Sequence, residues 1–197
     1  NKSIKYSNEI IQHRTITKIS GDEELVRAYF VVKLIKGLGY DKKDIELEKE
    51  YEAGRPKKIK PRIDILVKDR RNKKEKTFLF IEVKSPDKFE HDKEYIRSQL
   101  FELAKLEDKK SPITYLVYCS AEDKDDGIKE SNIIIDYLTY SDYEDWLEKG
   151  KLALDELPKE YGEPRKVKYI RGVNDLDTKV PKSKFDLIRK DLHNVLW

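Results

Sequence analysis

The sequence contains no methionine and only one cysteine, Cys119, in 197 residues. A single cysteine excludes an internal disulfide and a cysteine-based zinc cluster, and it is typical of proteins in a reducing cytoplasm, where we expect this chain to work. No apolar run approaches the length of a membrane span, and the first residues lack the pattern of a signal peptide. The missing initiator methionine predicts that the chain is a processed or excised piece of a longer polypeptide.

Charge is abundant and unevenly distributed, although the net charge is only +3. Residues 54–76 contain 11 Lys or Arg and 3 Asp or Glu, whereas residues 121–165 contain 6 basic and 14 acidic residues. A basic cluster is the electrostatic pattern expected of a protein that binds a phosphate backbone. For the run from Arg70 to Lys76 alone, a solvated turn is the preferred interpretation.

Two strand-like apolar runs lie between Pro61 and Lys84 and carry charged residues. Asp64 stands among Ile, Leu and Val residues in the first run, and Glu82 and Lys84 follow Phe-Leu-Phe-Ile in the second. Side chains two apart on a strand point to the same face, so Glu82 and Lys84 share one face and Val83 points away. If the two runs pair as a hairpin, Asp64 lies beside Glu82.

Converging carboxylates repel each other unless a cation neutralises them. Mg²⁺ takes oxygen ligands, typically one or two carboxylates together with water and substrate phosphate oxygens. A neighbouring lysine can orient a water molecule or stabilise charge that develops on a phosphate. Asp64, Glu82 and Lys84 therefore have the composition of a site for metal-assisted phosphodiester hydrolysis, whereas the simplest structural alternative is an edge strand with solvated charges.

Asp64 followed by Glu82-x-Lys84, in a strand–turn–strand setting, resembles the PD-(D/E)xK nuclease superfamily. The resemblance implies an α/β fold with a restriction-endonuclease-like core, in which a central mixed β-sheet is flanked by helices in the order helix, three strands, helix, strand. It covers residues 20–120. Within the superfamily, the chain is similar to the N-terminal nuclease domain of type I restriction enzyme R subunits or related restriction–modification polypeptides.

The resemblance also implies roles for individual residues. Asp64 and Glu82 would hold Mg²⁺, or Mn²⁺ in its place, with the Val83 carbonyl as a further ligand. Lys84 would position the attacking water or stabilise the phosphorane-like charge. Glu24 would support the metal, and Gln99 would help to orient Lys84 or DNA.

The helix before the strands is predicted from Ser20-Gly21-Asp22-Glu23, a capping box with Ser20 as N-cap. It should run to about Lys36, with a buried face formed by Leu25, Ala28, Tyr29, Val32 and Ile35. Glu24 borders this face and is the first candidate for an acidic metal-site residue from the helix; Glu23 is the second. The alternative role for both is to stabilise the cap and the helix dipole.

A second helix is predicted from about His91 to Glu107, after Pro86 ends the preceding strand. Tyr95, Gln99 and Leu103 lie four residues apart on it. Type I restriction motor subunits have a Gln-x-x-x-Tyr signature at this place. Here Leu103 stands where the tyrosine is expected, so the match to that signature is partial.

Asp44 to Tyr51, where Ile45, Leu47 and Lys49 alternate with acidic residues, is predicted to be a half-buried strand, and Gly54-Arg55-Pro56 marks a turn after it. The remaining pattern predicts a buried central strand from Ile113 to Cys119, an acidic loop from Glu122 to Asp126, and a short strand at Ile133–Ile135. A short helix should span Asp142 to Lys149. We therefore expect a nuclease-like domain over residues 1–150. Residues 151–197 then form a linker and a final amphipathic helix that begins at Pro181 and leads to a missing domain.

The sequence thus predicts a Mg²⁺-dependent endonuclease domain of a restriction–modification system that cuts double-stranded DNA. Fused or associated methyltransferase, motor or specificity domains are the expected partners, because the chain has no DNA-recognition motif of its own. Two alternatives remain open at this point. One is a non-catalytic DNA-binding or assembly module with a nuclease-like fold, and the other is a repair or junction-resolving nuclease.

Overall fold

The computed structural model describes residues 4–14, 21–52, 60–71, 74–150, 156–159 and 161. A single six-stranded sheet, ordered as in the sequence, is formed by β1 (Ile11–Gln12), β2 (Ile45–Glu50), β3 (Arg62–Asp69), β4 (Lys76–Val83), β5 (Ile113–Lys124) and β6 (Gly127–Asp136). The β1–β2 and β4–β5 pairs are parallel and the other pairs are antiparallel. The sheet is therefore mixed, which confirms the predicted fold class.

The α-helices are α1 (Asp22–Val32), α2 (Pro86–Phe89), α3 (Glu102–Asp108) and α4 (Tyr143–Lys149). Tighter 3₁₀ segments at Lys42–Asp44 and His91–Tyr95, and wider π-helical segments at Lys33–Gly37 and Arg97–Phe101, extend or connect them. In the part of the chain that the structure describes, no helix is both long enough and apolar enough to cross a membrane.

Each face of the sheet has its own apolar core. On one face, Phe30, Val31 and Leu34 of α1 and its extension share a cluster with residues of β3, β4 and β5. On the other face, Leu100 and Leu103 belong to a second cluster with side chains from the same three strands. Burial on both faces explains why β3, β4 and β5 read as nearly continuous apolar runs.

The first helix differs from its prediction at its start and on its buried face. It begins at Asp22, with Gly21 in the cap position and no side-chain capping hydrogen bond; Ser20 lies outside the described residues. Leu25 is 50% exposed, whereas Val26 and Phe30 are buried. The prediction for Leu25 was wrong because the buried face is rotated by about one residue, so that the neighbouring side chains meet the sheet.

The hairpin of β5 and β6 replaces the predicted acidic loop, and the strand predicted at Ile133–Ile135 is confirmed as part of β6. Residues Glu122 to Lys124 continue β5 and pair with the start of β6, so only Asp125 and Asp126 turn the chain. The loop prediction was wrong because cross-strand pairing with a neighbour, rather than local composition, keeps this polar segment extended.

The predicted second helix is helical but irregular. It passes from the 3₁₀ segment through the π-helical segment into α3, which changes the four-residue spacing assumed for Gln99. The helix predicted for Asp142–Lys149 is confirmed as α4, with the Asp142 side chain accepting a hydrogen bond from the Glu144 N–H.

The chain after Gly150 is described only in part. Leu157 is buried in the core on the α1 face, and the Tyr40 hydroxyl donates a hydrogen bond to the Pro158 carbonyl at 2.6 Å. The turn predicted at Gly54-Arg55-Pro56 and the final helix predicted from Pro181 lie outside the described residues. The domain boundary at residue 150 stays a prediction.

Candidate active site at the end of the β3–β4 pair

Asp64 and Glu82 lie where the pairing of β3 with β4 ends. The last paired position at this end is Ile65 opposite Ile81, so Asp64 and Glu82 are the next residues on the two strands. The Asp64 Oδ2 atom accepts a hydrogen bond from the Val83 N–H at 2.7 Å. The carboxylate thus bridges to β4 beyond the last paired position, and it is held against the strand that carries Glu82 and Lys84.

Glu82 and Lys84 form a buried ion pair, with 2.8 Å between Lys84 Nζ and Glu82 Oε1. This contact agrees with the predicted common face, and Val83 points into the core on the opposite side. Burial and then the negative charge of Asp64 raise the pKa of Glu82 well above its usual range. Burial lowers the pKa of Lys84, but the neighbouring Glu82 carboxylate raises it above its usual value. Glu82 therefore binds a proton or a cation more readily than an exposed glutamate does.

Arg27 of α1 connects the helix to this site. Its side chain is 3% exposed, and its guanidinium contacts Asp64 at 2.6 Å, Glu24 at 2.7 Å and Glu48 at 2.8 Å. The sequence analysis did not identify Arg27. Its signal was an arginine between two apolar residues, Val26 and Ala28, where a helix buries its apolar face; a buried arginine needs carboxylate partners.

Glu48 is the second residue that the sequence analysis missed. Although β2 alternates acidic and apolar residues, Glu46 and Glu48 are both buried, which corrects the prediction of a half-buried strand. Glu48 has a φ of 55° in the middle of its strand. Its carboxylate contacts Arg27 and, at 3.3 Å, Arg62. A non-glycine residue in this backbone region is strained, and such strain is found most often at functional sites.

The two acidic candidates on α1 have different neighbours. Glu24 binds Arg27. Burial and the charge of Asp64 raise the pKa of Glu23, and Lys84 lowers it. The charge of Glu23 also contributes to the raised pKa of Glu82. The charge of Glu23 therefore acts on the Glu82–Lys84 pair, whereas Glu24 has Arg27 as its ion-pair partner.

Gln99 lies in the π-helical segment, on the face of the sheet opposite α1, and its Oε1 atom is buried without a hydrogen-bond partner among the described residues. Leu103, at the place of the signature tyrosine, is buried in the core on that face. Tyr95 is 43% exposed. An unpaired amide oxygen is available to a donor that arrives with a ligand or a moving side chain. The role of Gln99 stays a prediction.

The residues present suit a hard divalent cation only in part. Within the described ranges, no three His, Cys, Asp or Glu side chains are arranged as a ready-made metal site. Asp64 and Glu82 are nevertheless two neighbouring carboxylates, and Mg²⁺ needs no more than one or two from a protein when water and phosphate complete its shell. The donor set therefore fits Mg²⁺ when water and phosphate oxygens supply the remaining ligands.

Much of the positive charge near β3 has partners within the chain. Lys68 is buried against Glu107, Arg70 contacts Glu46, and Arg71 contacts Asp69. The density of basic residues in the sequence therefore overstates the charge that is free to meet a phosphate backbone.

Comparison with known families agrees with the sequence-based resemblance. Residues 22–110 match the model of a family described as the type I restriction enzyme R protein N terminus. The matched stretch contains α1, β2 to β4 and α3, including every candidate site residue. No curated protein matches the chain. The resemblance to this restriction enzyme family is thus confirmed over residues 22–110, and it suggests a nuclease-related domain of a restriction–modification system.

Proposed function

We propose that this chain is the metal-dependent endonuclease domain of a restriction–modification system and hydrolyses phosphodiester bonds in double-stranded DNA. The observation that carries the proposal is the meeting of Asp64, Glu82 and Lys84, all buried, at the end of the β3–β4 pair. Burying three charged groups together costs free energy, and such a cost is typical of sites kept for chemistry.

Asp64 and Glu82 would hold the cation, Mg²⁺ or Mn²⁺, with the Val83 carbonyl as a possible third protein ligand. When bound, the cation supplies Lewis-acid stabilisation of the negative charge on the scissile phosphate. An excess of negative charge supports this role. The site gathers five carboxylates (Glu23, Glu24, Glu48, Asp64 and Glu82) and four cations (Arg27, Arg62, Lys84 and Lys88).

Lys84 would act on the water and the phosphate. Its ammonium has three N–H donors and uses one on Glu82. The remaining donors can orient the attacking water towards phosphorus and stabilise the charge on a non-bridging oxygen. Glu23 is the helix carboxylate best placed to support the cation, because its charge acts on Glu82 while Glu24 is paired with Arg27.

Double-stranded DNA is the proposed substrate, and the matched family is the reason for it. Sequence recognition would come from partner domains of the restriction system, either fused to this chain or associated with it. The exposed Lys60 and Arg62 at the start of β3 are candidates for contacts with phosphate groups near the site.

The alternative of a non-catalytic DNA-binding or assembly module also has an observation in its favour. Asp64 and Glu82 already have cationic partners within the chain, namely Arg27 and Lys84. Such pairs are stable without a metal ion and are compatible with a purely structural role. The two proposals differ in metal dependence, because an inert module needs only its basic residues to bind DNA.

The test is cleavage of supercoiled plasmid with Mg²⁺ or Mn²⁺, together with Mn²⁺ binding measured by calorimetry. Asp64→Asn and Lys84→Met are the test variants, since both preserve side-chain size. Glu102→Gln, on the exposed side of α3, is the matched control for loss of a carboxylate. We expect metal-dependent cleavage by the parent and by Glu102→Gln, and none by the two test variants.

Calorimetry separates metal binding from chemistry. Asp64→Asn should lose Mn²⁺ binding, whereas Lys84→Met should retain it, because lysine does not ligate the ion. A parent chain that binds Mn²⁺ but leaves DNA intact would indicate an active site that requires its partner domains. No Mn²⁺ binding by the parent would refute the proposed enzyme and favour the inert module.

A further inference from the structure

Ser120 of β5 lies beside Lys84, one step beyond the last paired position of the parallel strands. That position joins Val83 to Cys119, and the Lys84 N–H still donates to the Cys119 carbonyl at 2.9 Å. The next residues on the two strands are Lys84 and Ser120. Neighbouring strands are about 4.8 Å apart, so these residues are adjacent across the sheet.

The alternation of side chains places Ser120 on the face of the candidate site. Tyr118 is paired with Glu82, and Ser120 follows Tyr118 by two residues, as Lys84 follows Glu82. Val83 and Cys119 point together into the core on the α1 face. The four residues of the opposite face, Glu82, Lys84, Tyr118 and Ser120, therefore form one patch.

The Ser120 hydroxyl is buried and unpaired. The residue is 2% exposed, and its Oγ atom has no hydrogen-bond partner in the part of the chain that the structure describes. A buried hydroxyl without a partner destabilises a fold, and alanine at the same place would avoid the cost. A buried, unpaired hydroxyl in a native protein indicates a functional role, in which the hydroxyl gains a hydrogen-bond partner in another state of the protein.

We propose that Ser120 is a positioning residue for Lys84 and accepts a hydrogen bond from its ammonium during the reaction. This inference rests on the proposed nuclease function. In the metal-free protein, Glu82 is the carboxylate that holds the ammonium. Once Glu82 shares its oxygens with a divalent cation, its hold on Lys84 weakens, and the Ser120 oxygen is the acceptor adjacent on the same face. The second contact keeps Lys84 aimed at the phosphate.

The test compares Ser120→Ala and Ser120→Thr with a matched control, Ser111→Ala. Ser111 is also buried, but its hydroxyl is hydrogen-bonded to the Thr77 hydroxyl, with 3.1 Å between the two oxygens, at the opposite end of β4. Ser120→Ala should unfold at the same temperature as the parent or higher, since it loses an unpaired hydroxyl, and Ser111→Ala should unfold at a lower temperature. Ser120→Ala should cleave about tenfold more slowly in a single turnover, with unchanged Mn²⁺ affinity. Ser120→Thr, which keeps the hydroxyl, should restore the rate.

A direct measurement does not depend on cleavage. The side-chain ammonium resonance of Lys84, assigned by its loss in Lys84→Arg, should shift in Mg²⁺-loaded Ser120→Ala and stay in place in Ser111→Ala. Parental cleavage by Ser120→Ala together with an unmoved resonance would overturn this inference and leave the proposed function intact. If the parent binds Mn²⁺ without cutting DNA, the shift of the Lys84 resonance alone tests the role of Ser120. If the parent binds no Mn²⁺, both the role of Ser120 and the proposed nuclease function are overturned.

Discussion

Arg27 donates two hydrogen bonds to one oxygen of Asp64, from Nε at 3.1 Å and from Nη2 at 2.6 Å. The other oxygen of Asp64 accepts the Val83 N–H. One carboxylate therefore connects α1 to both central strands. With Oδ1 occupied by the guanidinium, Oδ2 is the oxygen left with a free acceptor position for a cation.

Arg27→Met should destabilise the protein strongly at neutral pH. The substitution leaves the buried carboxylates of Asp64 and Glu48 without their shared cation, and breaking a buried ion pair costs about 3–5 kcal/mol. Thermal unfolding measures the loss. Excess Ca²⁺ should recover more stability in Arg27→Met than in the parent, because the ion replaces the missing charge.

Arg97→Met is the matched control for Arg27→Met. Arg97 also pairs with a glutamate, Glu144, but both side chains are 61% exposed. Its loss should change the free energy of unfolding by less than about 1 kcal/mol. Equal effects of the two substitutions would show that Arg27 is not the electrostatic centre of the site.

Glu48→Gly and Glu48→Ala should differ because of the backbone. Both variants remove the carboxylate that contacts Arg27 and Arg62, but only alanine keeps a Cβ at a φ of 55°. Alanine should therefore be less stable than glycine by about 1 kcal/mol, the reverse of their order in an ordinary strand. Urea unfolding of the two variants measures the difference; a more stable alanine variant would contradict the strained conformation.

A second buried ion pair lies at the opposite end of the sheet. Lys68 Nζ donates to Glu107 Oε1 at 2.5 Å, and both side chains are almost fully buried. Glu107→Gln should lower the free energy of unfolding by about 3–5 kcal/mol, because the buried charge of Lys68 then keeps only the exposed Glu75, 3.4 Å away, as a carboxylate partner. The double variant Lys68→Met/Glu107→Gln should be more stable than Glu107→Gln. Chemical unfolding of the three proteins provides the comparison.

The same pair predicts how stability depends on pH. Burial raises the pKa of Glu107, but hydrogen bonds from Lys68 and Thr77 outweigh this effect and lower the pKa from 4.5 to about 2. A lowered folded-state pKa stabilises the protein above pH 4.5, and this contribution is lost as the pH falls towards 2. The loss is on the order of 3 kcal/mol. Urea unfolding should show that the difference in the free energy of unfolding between the parent and Glu107→Gln decreases as the pH falls from 4.5 towards 2. A difference that does not change with pH would contradict an ionised Lys68–Glu107 pair.

The sequence was sufficient to predict the catalytic candidates on the strands. Apolar runs interrupted by single charges identified β3 and β4, and the two-residue period placed Glu82 and Lys84 on one face, as their ion pair confirms. These inferences succeed because they depend on neighbours along the chain. The fold class was implied by the resemblance of Asp64 and Glu82-x-Lys84, in their strand–turn–strand setting, to a nuclease superfamily, and the mixed six-stranded sheet confirms it.

Contacts between distant segments could not be predicted in the same way. Arg27 and Glu48 are separated from Asp64 along the chain, and nothing local distinguishes Glu48 from the other acidic residues of the strand that was predicted to be half-buried. Its burial depends on a guanidinium brought by α1 and on a backbone conformation that departs from the strand. Likewise, the position of Ser120 beside Lys84 follows from the parallel register of β4 and β5.

By itself, the amino-acid sequence determined which segments form the central strands and which charged residues they carry, because periodicity and propensity act over a few residues. Only the tertiary structure decided which charges neutralise one another. It pairs Arg27 with Asp64, leaves Glu23 to act on Glu82, and buries Ser120 without a partner. The physical reason is that Coulomb interactions and hydrogen bonds depend on distance in space, which helix packing and strand register set.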